Sequence, residues 1–215
     1  MQLPRRRDAT YARHPSLGAW LYVASVQFFV VQFLVALRFS PGYSVTDNAI
    51  SDLGNTTCGD WNGRYVCSPA HAWMNISFVV LGLTIMLGSA LIQPAFTASR
   101  ATALGFGFFA FGGFGTVLVG LFPEDRVAWL HGLGAALPFL VGNVGLVLLG
   151  RSLAAPSWLR SYTMLSGGVA LLALVLYVAG ASMGLGDGGV ERIVAYPQTV
   201  WQIVLGAYVL RQRAT

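Results

Sequence analysis

The charges of this chain stand far apart, and the long uncharged runs between them constrain its fold more than any other feature. Such runs lie between Arg13 and Arg38, Arg64 and Arg100, Arg100 and Glu124, Arg126 and Arg151, Arg160 and Asp187, and Arg192 and Arg211. At about 1.5 Å rise per residue, about 20 mainly apolar residues cross the hydrocarbon core of a bilayer. Six spanning helices are therefore expected, at 17–39, 70–92, 102–122, 128–149, 164–185 and 193–210. Composition agrees: apolar residues make up 55% of the chain and charged residues 10%, against about 25% charged in a soluble domain. The expected fold class is all-α, a polytopic membrane bundle of six transmembrane helices forming a single transmembrane domain over 1–215. The runs lack the period-two alternation of an outer-membrane barrel. The first run exceeds the ~7–15 residues of a signal-peptide core and no small-residue cleavage motif follows it, so it reads as an uncleaved span.

Orientation follows from the arginines, which account for all 13 basic residues. Arg5, Arg6, Arg7, Arg13, Arg100, Arg151, Arg160, Arg211 and Arg213 fall on one side of this layout, with one acid, Asp8. Arg38, Arg64, Arg126 and Arg192 fall on the other, with Asp47, Asp52, Asp60, Glu124, Asp125, Asp187 and Glu191. Nine arginines against four place the first side in the cytoplasm by the positive-inside rule. The tail 1–16 and both termini are then cytoplasmic, the protein is expected in the cell membrane, and 40–69 is an extracytoplasmic loop. The net charge of +5 is a topology signal and not a nucleic-acid footprint, because no basic stripe with interleaved aromatics exists. The partner implied is the lipid bilayer.

Loop 40–69 is the one long connection, and loops that long without internal structure are usually functional or disordered. It holds both cysteines, Cys58 and Cys67, around Trp61-Asn62-Gly63-Arg64, which reads as a turn. An extracytoplasmic compartment permits a disulfide, and a Cys58–Cys67 bridge is expected ahead of a metal or redox pair, which would need closer spacing or further thiols. Upstream, Ser44 precedes Asp47 by three residues in a capping arrangement, and Gly54 suits a helix end. Val45, Ala49, Ile50 and Leu53 would form one apolar face. A short amphipathic helix at the outer interface is expected over Ser44–Gly54, with Asp47, Ser51 and Asp52 along its polar edge.

Polar residues recur at the outer ends of three spans. Ser68-Pro69 is a helix start, with Ser as N-cap and Pro at the first helical position. His71 and Asn75 then share a face four residues apart. Pro123 gives a similar start, with Glu124 and Asp125 in the favourable first turn and His131 seven residues after Glu124. Glu191, Gln198 and Gln202 recur at spacings of seven and four. Polar groups in a membrane normally face the bundle interior or a cavity. An outer pocket of Asp47, Ser51, Asp52, His71, Asn75, Glu124, Asp125, His131 and Glu191 is therefore expected, against the plainer reading of caps and solvated ends. His71 and His131 are weak metal candidates, because catalytic zinc takes three protein ligands and no metal motif occurs. No residue pattern assigns a cofactor. Gly105, Gly107, Gly112, Gly113, Gly115 and Gly120 with interleaved Phe make the third span a packing helix. Pro138 and Pro197 are expected to kink the fourth and sixth.

A series of motifs carries a resemblance: Asp47-Asn48-x-Ile50-Ser51-Asp52-Leu53-Gly54, Cys67-Ser68-Pro69, Asn75-x-Ser77-Phe78 with Gly82, and Phe122-Pro123-Glu124-Asp125 with His131. In these the chain resembles the family of prokaryotic integral membrane proteins called domain of unknown function 998 (DUF998). The resemblance implies a multi-helix integral membrane protein and no particular activity. Two functions are expected from the residues themselves. The first is an outward polar pocket that binds a small ligand or lipid head group. The alternative is an extracytoplasmic-face hydrolase acting on a lipid, metal-dependent or not, with the acids and histidines in acid–base roles. A transporter is disfavoured because no ionisable residue falls at the membrane midplane.

Overall fold

A computed structural model of the chain describes residues 14–96 and 99–214. Arg5, Arg6, Arg7, Asp8 and Arg13, which weigh in the orientation argument, lie outside the described residues. Six helical spans are present, each long and apolar enough to cross a membrane. The first comprises α1 (Pro15–Ala24) and α2 (Val26–Ala36), which meet at Ser25. The second is α3 (His71–Ile92), prolonged by a 3₁₀ turn over Gln93–Ala95, and the third is α4 (Arg100–Leu121). The fourth joins α5 (Ala128–Ala136) through a π-helical stretch, Leu137–Gly142, to α6 (Asn143–Ser152). The fifth and sixth are α7 (Ser157–Val178) and α8 (Gly186–Ala214).

The helix expected over 164–185 starts seven residues earlier. Pro156 precedes its first turn, and Gly180, at φ +67°, stops the chain just past its end. Arg160 lies inside this helix and stays exposed, its Nη2 donating to the Arg151 carbonyl at 3.0 Å. The last helix likewise begins seven residues ahead of 193, at Gly186, and so takes Glu191 and Arg192 into its first turns.

Close backbone approach organises the packing. A β-carbon on Gly82 would meet the Gly113 carbonyl at 2.5 Å, and one on Gly113 would meet Ile85 Cγ2 at 2.7 Å. Side chains are thus excluded where α3 crosses α4, the small-residue contact of membrane helices. Polar side chains bridge the first span to α3: Tyr22 Oη lies 2.7 Å from Ser89 Oγ, Ser25 Oγ 2.9 Å from Thr84 Oγ1, and Ser77 Oγ donates to Gln27 Oε1 at 2.8 Å. Tyr22, Phe109 and Trp201 pack edge to face in the core, and Trp201 Nε1 donates to Thr163 Oγ1 at 2.8 Å. The π-helical stretch starts beside Pro138, which lacks a donor. Asn143 Nδ2 donates to the Phe139 carbonyl within this stretch and to the Val194 carbonyl of α8, tying the two helices together. Outside, large apolar side chains stay exposed along the spans, among them Phe33, Leu87, Phe111, Leu172 and Val178. Trp73 and Trp129 are exposed near one end of the bundle and Trp158 near the other, the levels at which tryptophan favours a membrane interface.

The loop between α2 and α3 covers one end of the bundle. Its helical part is a 3₁₀ turn, Ser51–Gly54, and not a helix over the whole of Ser44–Gly54. Local side-chain bonds compete with the helix: Asn48 Oδ1 accepts from the Ser44 amide at 2.9 Å and Asp52 Oδ2 from the Ala49 amide at 3.1 Å. Ala49, Ile50 and Leu53 are buried, whereas Val45 is exposed. A hairpin follows, β1 (Gly59–Trp61) against β2 (Arg64–Val66), with Trp61 opposite Arg64. Asn62 (φ +49°) and Gly63 (φ +77°) form its turn, the Asn-Gly pair that two-residue hairpins favour. Cys58 and Cys67 flank the hairpin with Cα atoms 4.2 Å apart and their sulfur atoms at bonding distance.

Candidate functional site

The backbone of segment 43–57 has little regular structure, so side chains from elsewhere must satisfy it. They come from several elements. Ser68 Oγ donates to the Leu53 carbonyl at 2.7 Å, and Asn75 Nδ2, from the first turns of α3, donates to the Gly54 carbonyl at 2.9 Å. Glu191 of α8 accepts the Ile50 amide at 2.7 Å. Arg192, the next residue, donates through Nη1 to the Asn48 carbonyl at 2.9 Å and through Nη2 to the Tyr43 hydroxyl. From the turn before α5, Glu124 accepts from Ser51 Oγ at 3.1 Å, and Asp125 accepts from both amides and both hydroxyls of Thr56 and Thr57 at 2.9–3.0 Å. The segment is latched over the bundle end as a cover.

Asp52 is the centre of this network. It is fully buried, and Arg64 from the hairpin grips it with two nitrogens, Nε to Oδ2 at 2.7 Å and Nη2 to Oδ1 at 2.8 Å. Asn48 Nδ2 and the Ala49 amide also donate to Oδ2. Four donors on one carboxylate satisfy a charge that would otherwise be costly to bury. The hydrogen bonds to Asp52 push the Arg64 guanidinium further toward its charged form, against its own burial. Glu124 is poised differently. Burial first, then the negative charge of Asp52, push its carboxyl up to about 7, while the Ser51 hydroxyl pulls the other way. Its second oxygen, Oε1, has no partner although it is buried. Asp125, one residue on, is raised by burial, but the donors from Thr57 and Thr56 outweigh this and hold it below the usual carboxylate range.

Beneath the cover lies a cavity of about 60 Å³. Its polar wall is formed by Ser51, His131, Glu191, Gln198 and Thr199, and its apolar floor includes Phe28, Phe78 and Phe139. His131 is turned by its Nδ1, 3.0 Å from the Phe122 carbonyl. Of the residues expected to share a pocket, Ser51, His131 and Glu191 line the cavity. Glu124 and Asp52 stand behind Ser51, and Asn75 holds the cover from α3. Asp47, His71 and Asp125 lie away from the cavity. Asp47 is exposed and bonds the Ser44 and Thr46 hydroxyls, and His71 Nδ1 lies 2.9 Å from the Ser68 carbonyl, one turn back. Among the described residues, no three His, Cys, Asp or Glu side chains are grouped as ligands for a metal ion.

Two expectations about local structure change. Ser68 does not cap α3: the N-cap is Ala70 and the Ser68 hydroxyl serves the cover. Glu124 and Asp125 do not enter a helix with His131, because the chain turns over 123–126, with Arg126 N donating to the Pro123 carbonyl, and α5 starts at Ala128. Arg64, Arg192, Tyr43 and Asn48 were not among the candidates. Asn48 stands in the Asp47–Gly54 motif, Arg64 ends the Trp61–Arg64 turn and Arg192 is a second charge beside Glu191 at the head of an apolar run, whereas Tyr43 left no signal.

Six apolar spans with a polar, covered end define a multi-pass membrane protein. The chain belongs to the family described as Protein of unknown function (DUF998), whose model matches residues 22–208. Comparison with curated proteins and with solved structures gives no match.

Proposed function

We propose that this protein is a membrane binding protein whose covered end holds a small ligand or lipid head group, with that end outside the cell membrane and both termini in the cytoplasm. The cavity under Ile50 and Ser51 carries the reading, because it has an apolar floor and a wall in which the Glu191 carboxylate, an acceptor, stands beside Ser51, Gln198 and Thr199, which donate and accept. Such a wall favours a ligand presenting N–H or O–H donors, of which an amine-bearing head group is the simplest. A cavity of about 60 Å³ admits a few heavy atoms, so the larger part of a lipid would remain outside. The arginine asymmetry supports the orientation. The closeness of Cys58 and Cys67 supports a disulfide there, which an extracytoplasmic compartment would allow.

The probe is ethanolamine, with glycerol as a neutral comparison, read as the shift in melting temperature of the purified full chain in detergent. Ethanolamine is expected to raise it in the wild type and to have no effect in H131A or E191Q. No stabilisation by ethanolamine, together with no small molecule carried through purification by mass spectrometry, overturns the reading.

A further inference from the structure

The opposite end of the bundle carries a cavity of about 300 Å³ that is open to the surface, lined by Gly150, Arg151, Ser157, Arg160, Ser161 and Met164, all but Gly150 exposed. It lies where α6 ends and α7 begins. Every acid among the described residues belongs to the loop end of the molecule: Asp47, Asp52, Asp60, Glu124, Asp125, Asp187 and Glu191. Two guanidinium groups therefore share a cavity with no carboxylate of the described chain to balance them. Arg160 directs Nε at the Gly150 carbonyl, 3.4 Å away, and Nη2 at the Arg151 carbonyl, 3.0 Å away. It thereby serves the last carbonyls of α6 and is fixed in the cavity wall. Arg151 has no such duty. It is exposed and forms no side-chain hydrogen bond or ion pair among the described residues. Ser157 and Ser161 stand one turn apart on the same face of α7 and add two hydroxyls.

What borders the cavity points to the kind of ligand. Trp158 is exposed beside it and packs edge to face on Tyr208, with ring centroids 5.8 Å apart. Along α7, Met164, Leu165, Val169 and Leu172 are exposed in an apolar strip that leads from the basic cavity toward the middle of the membrane. Arginine binds phosphate oxygens in pairs, and basic pockets between spanning helices hold anionic head groups. A volume near 300 Å³ lies at the small end of ligand pockets, which suits a head group whose chains remain on the apolar strip. We propose that Arg151, Arg160, Ser157 and Ser161 bind the phosphate of an anionic phospholipid, with its acyl chains along the exposed face of α7. Capping of α6 explains Arg160 alone. The lipid explains why Arg151 and two hydroxyls converge with it at the level of the membrane surface.

Native mass spectrometry of the full chain, released from nanodiscs of phosphatidylglycerol or of phosphatidylcholine, tests this. The wild type is expected to retain phosphatidylglycerol preferentially. Removing one surface arginine from an anionic-lipid site changes affinity by about fivefold, so R151Q should retain about fivefold less. R100Q, which removes an exposed arginine from the same end but not from the cavity, should retain as much as the wild type. The double variant S157A/S161A leaves the charge intact and should also weaken retention, giving a second route should R151Q not fold. Equal retention by the wild type, R151Q and S157A/S161A overturns the proposal, as does an equal loss in R100Q. Displacement of the lipid by millimolar inorganic phosphate assigns the site to free phosphate and overturns the lipid.

Discussion

Arg64 and Asp52 form a pair whose two members are not equivalent. Asp52 is fully buried, whereas the Arg64 side chain keeps 24% of its exposure. Removing the arginine leaves a buried carboxylate with donors only from Asn48 and Ala49. Breaking a buried pair costs about 3–5 kcal/mol. Because two donors remain and Arg64 is partly solvated, R64Q is expected near the lower figure, about 3 kcal/mol, read from denaturant or thermal unfolding in detergent. Glu124 and Asp125 give opposite pH dependences from neighbouring positions. The Glu124 carboxyl is raised from 4.5 to about 7, so the folded state holds a proton that the unfolded chain releases. Its contribution is therefore full below 4.5 and is lost as pH rises toward about 7. Asp125 is lowered from 3.8, so its contribution is present above that pH and is lost as pH falls through its folded value. Melting temperature in E124Q should fall less between pH 4.5 and 7 than in the wild type. An unchanged slope would show that Glu124 does not titrate there. That these acids share one end of the bundle was legible in the sequence, because helix ends and charges mark it. Their partners were not. That Arg64 reaches Asp52 and Glu191 reaches the Ile50 amide depends on how a loop folds back, across 141 residues in the second case, and no local pattern encodes it.

At the scale of elements, the spans were legible wherever an apolar run and its boundary charges coincide with the helix ends. They were displaced where a charge lies within a helix, as Arg160 does in α7 and Arg192 in α8. Hydropathy treats an arginine as an end, whereas its stem lets it sit a turn or more inside one. The amphipathic pattern read over Ser44–Gly54 holds only in part: Ala49, Ile50 and Leu53 are buried, but Val45 is exposed and Asp52 of the polar edge is buried, and the turn bonds of Asn48 and Asp52 shorten the helical part to Ser51–Gly54. The glycines of the α3–α4 pair differ in what they do, and substitution separates them. At Gly82, on α3, a β-carbon would press on the Gly113 carbonyl and the Val117 amide. G82A is expected to destabilise by about 1–3 kcal/mol, the cost of overpacking. Nothing lies within 4 Å of a β-carbon at Gly107, so G107A should be neutral or gain up to about 1 kcal/mol of helix stability. Unfolding of the two variants side by side checks both, and equal effects would contradict the α3–α4 seam.

The whole molecule is polarised, with acids gathered at the covered end and arginines without acids at the other among the described residues. This bears on orientation, because four arginines at the covered end run against a simple charge bias. Three of them have structural duties there: Arg64 holds Asp52, Arg126 Nε donates to Thr56 Oγ1, and Arg192 holds the Asn48 carbonyl. The cover needs cations that can reach buried oxygens, and arginine with its planar fork meets that need. At the far end Arg100, Arg151, Arg211 and Arg213 are exposed near helix ends, which is where the positive-inside rule counts them. By the rule, that end is predicted to face the cytoplasm. Reporter fusions after Thr215 and within 55–64 should therefore report opposite compartments, the first cytoplasmic. In the same expressed protein, mass spectrometry of non-reduced peptides should find Cys58 joined to Cys67, since a compartment outside the cytoplasm lets a disulfide persist. The two measurements must agree. A cytoplasmic reporter in 55–64 with free thiols would invert the protein in the membrane, while the same reporter at both positions would break the six-span layout itself.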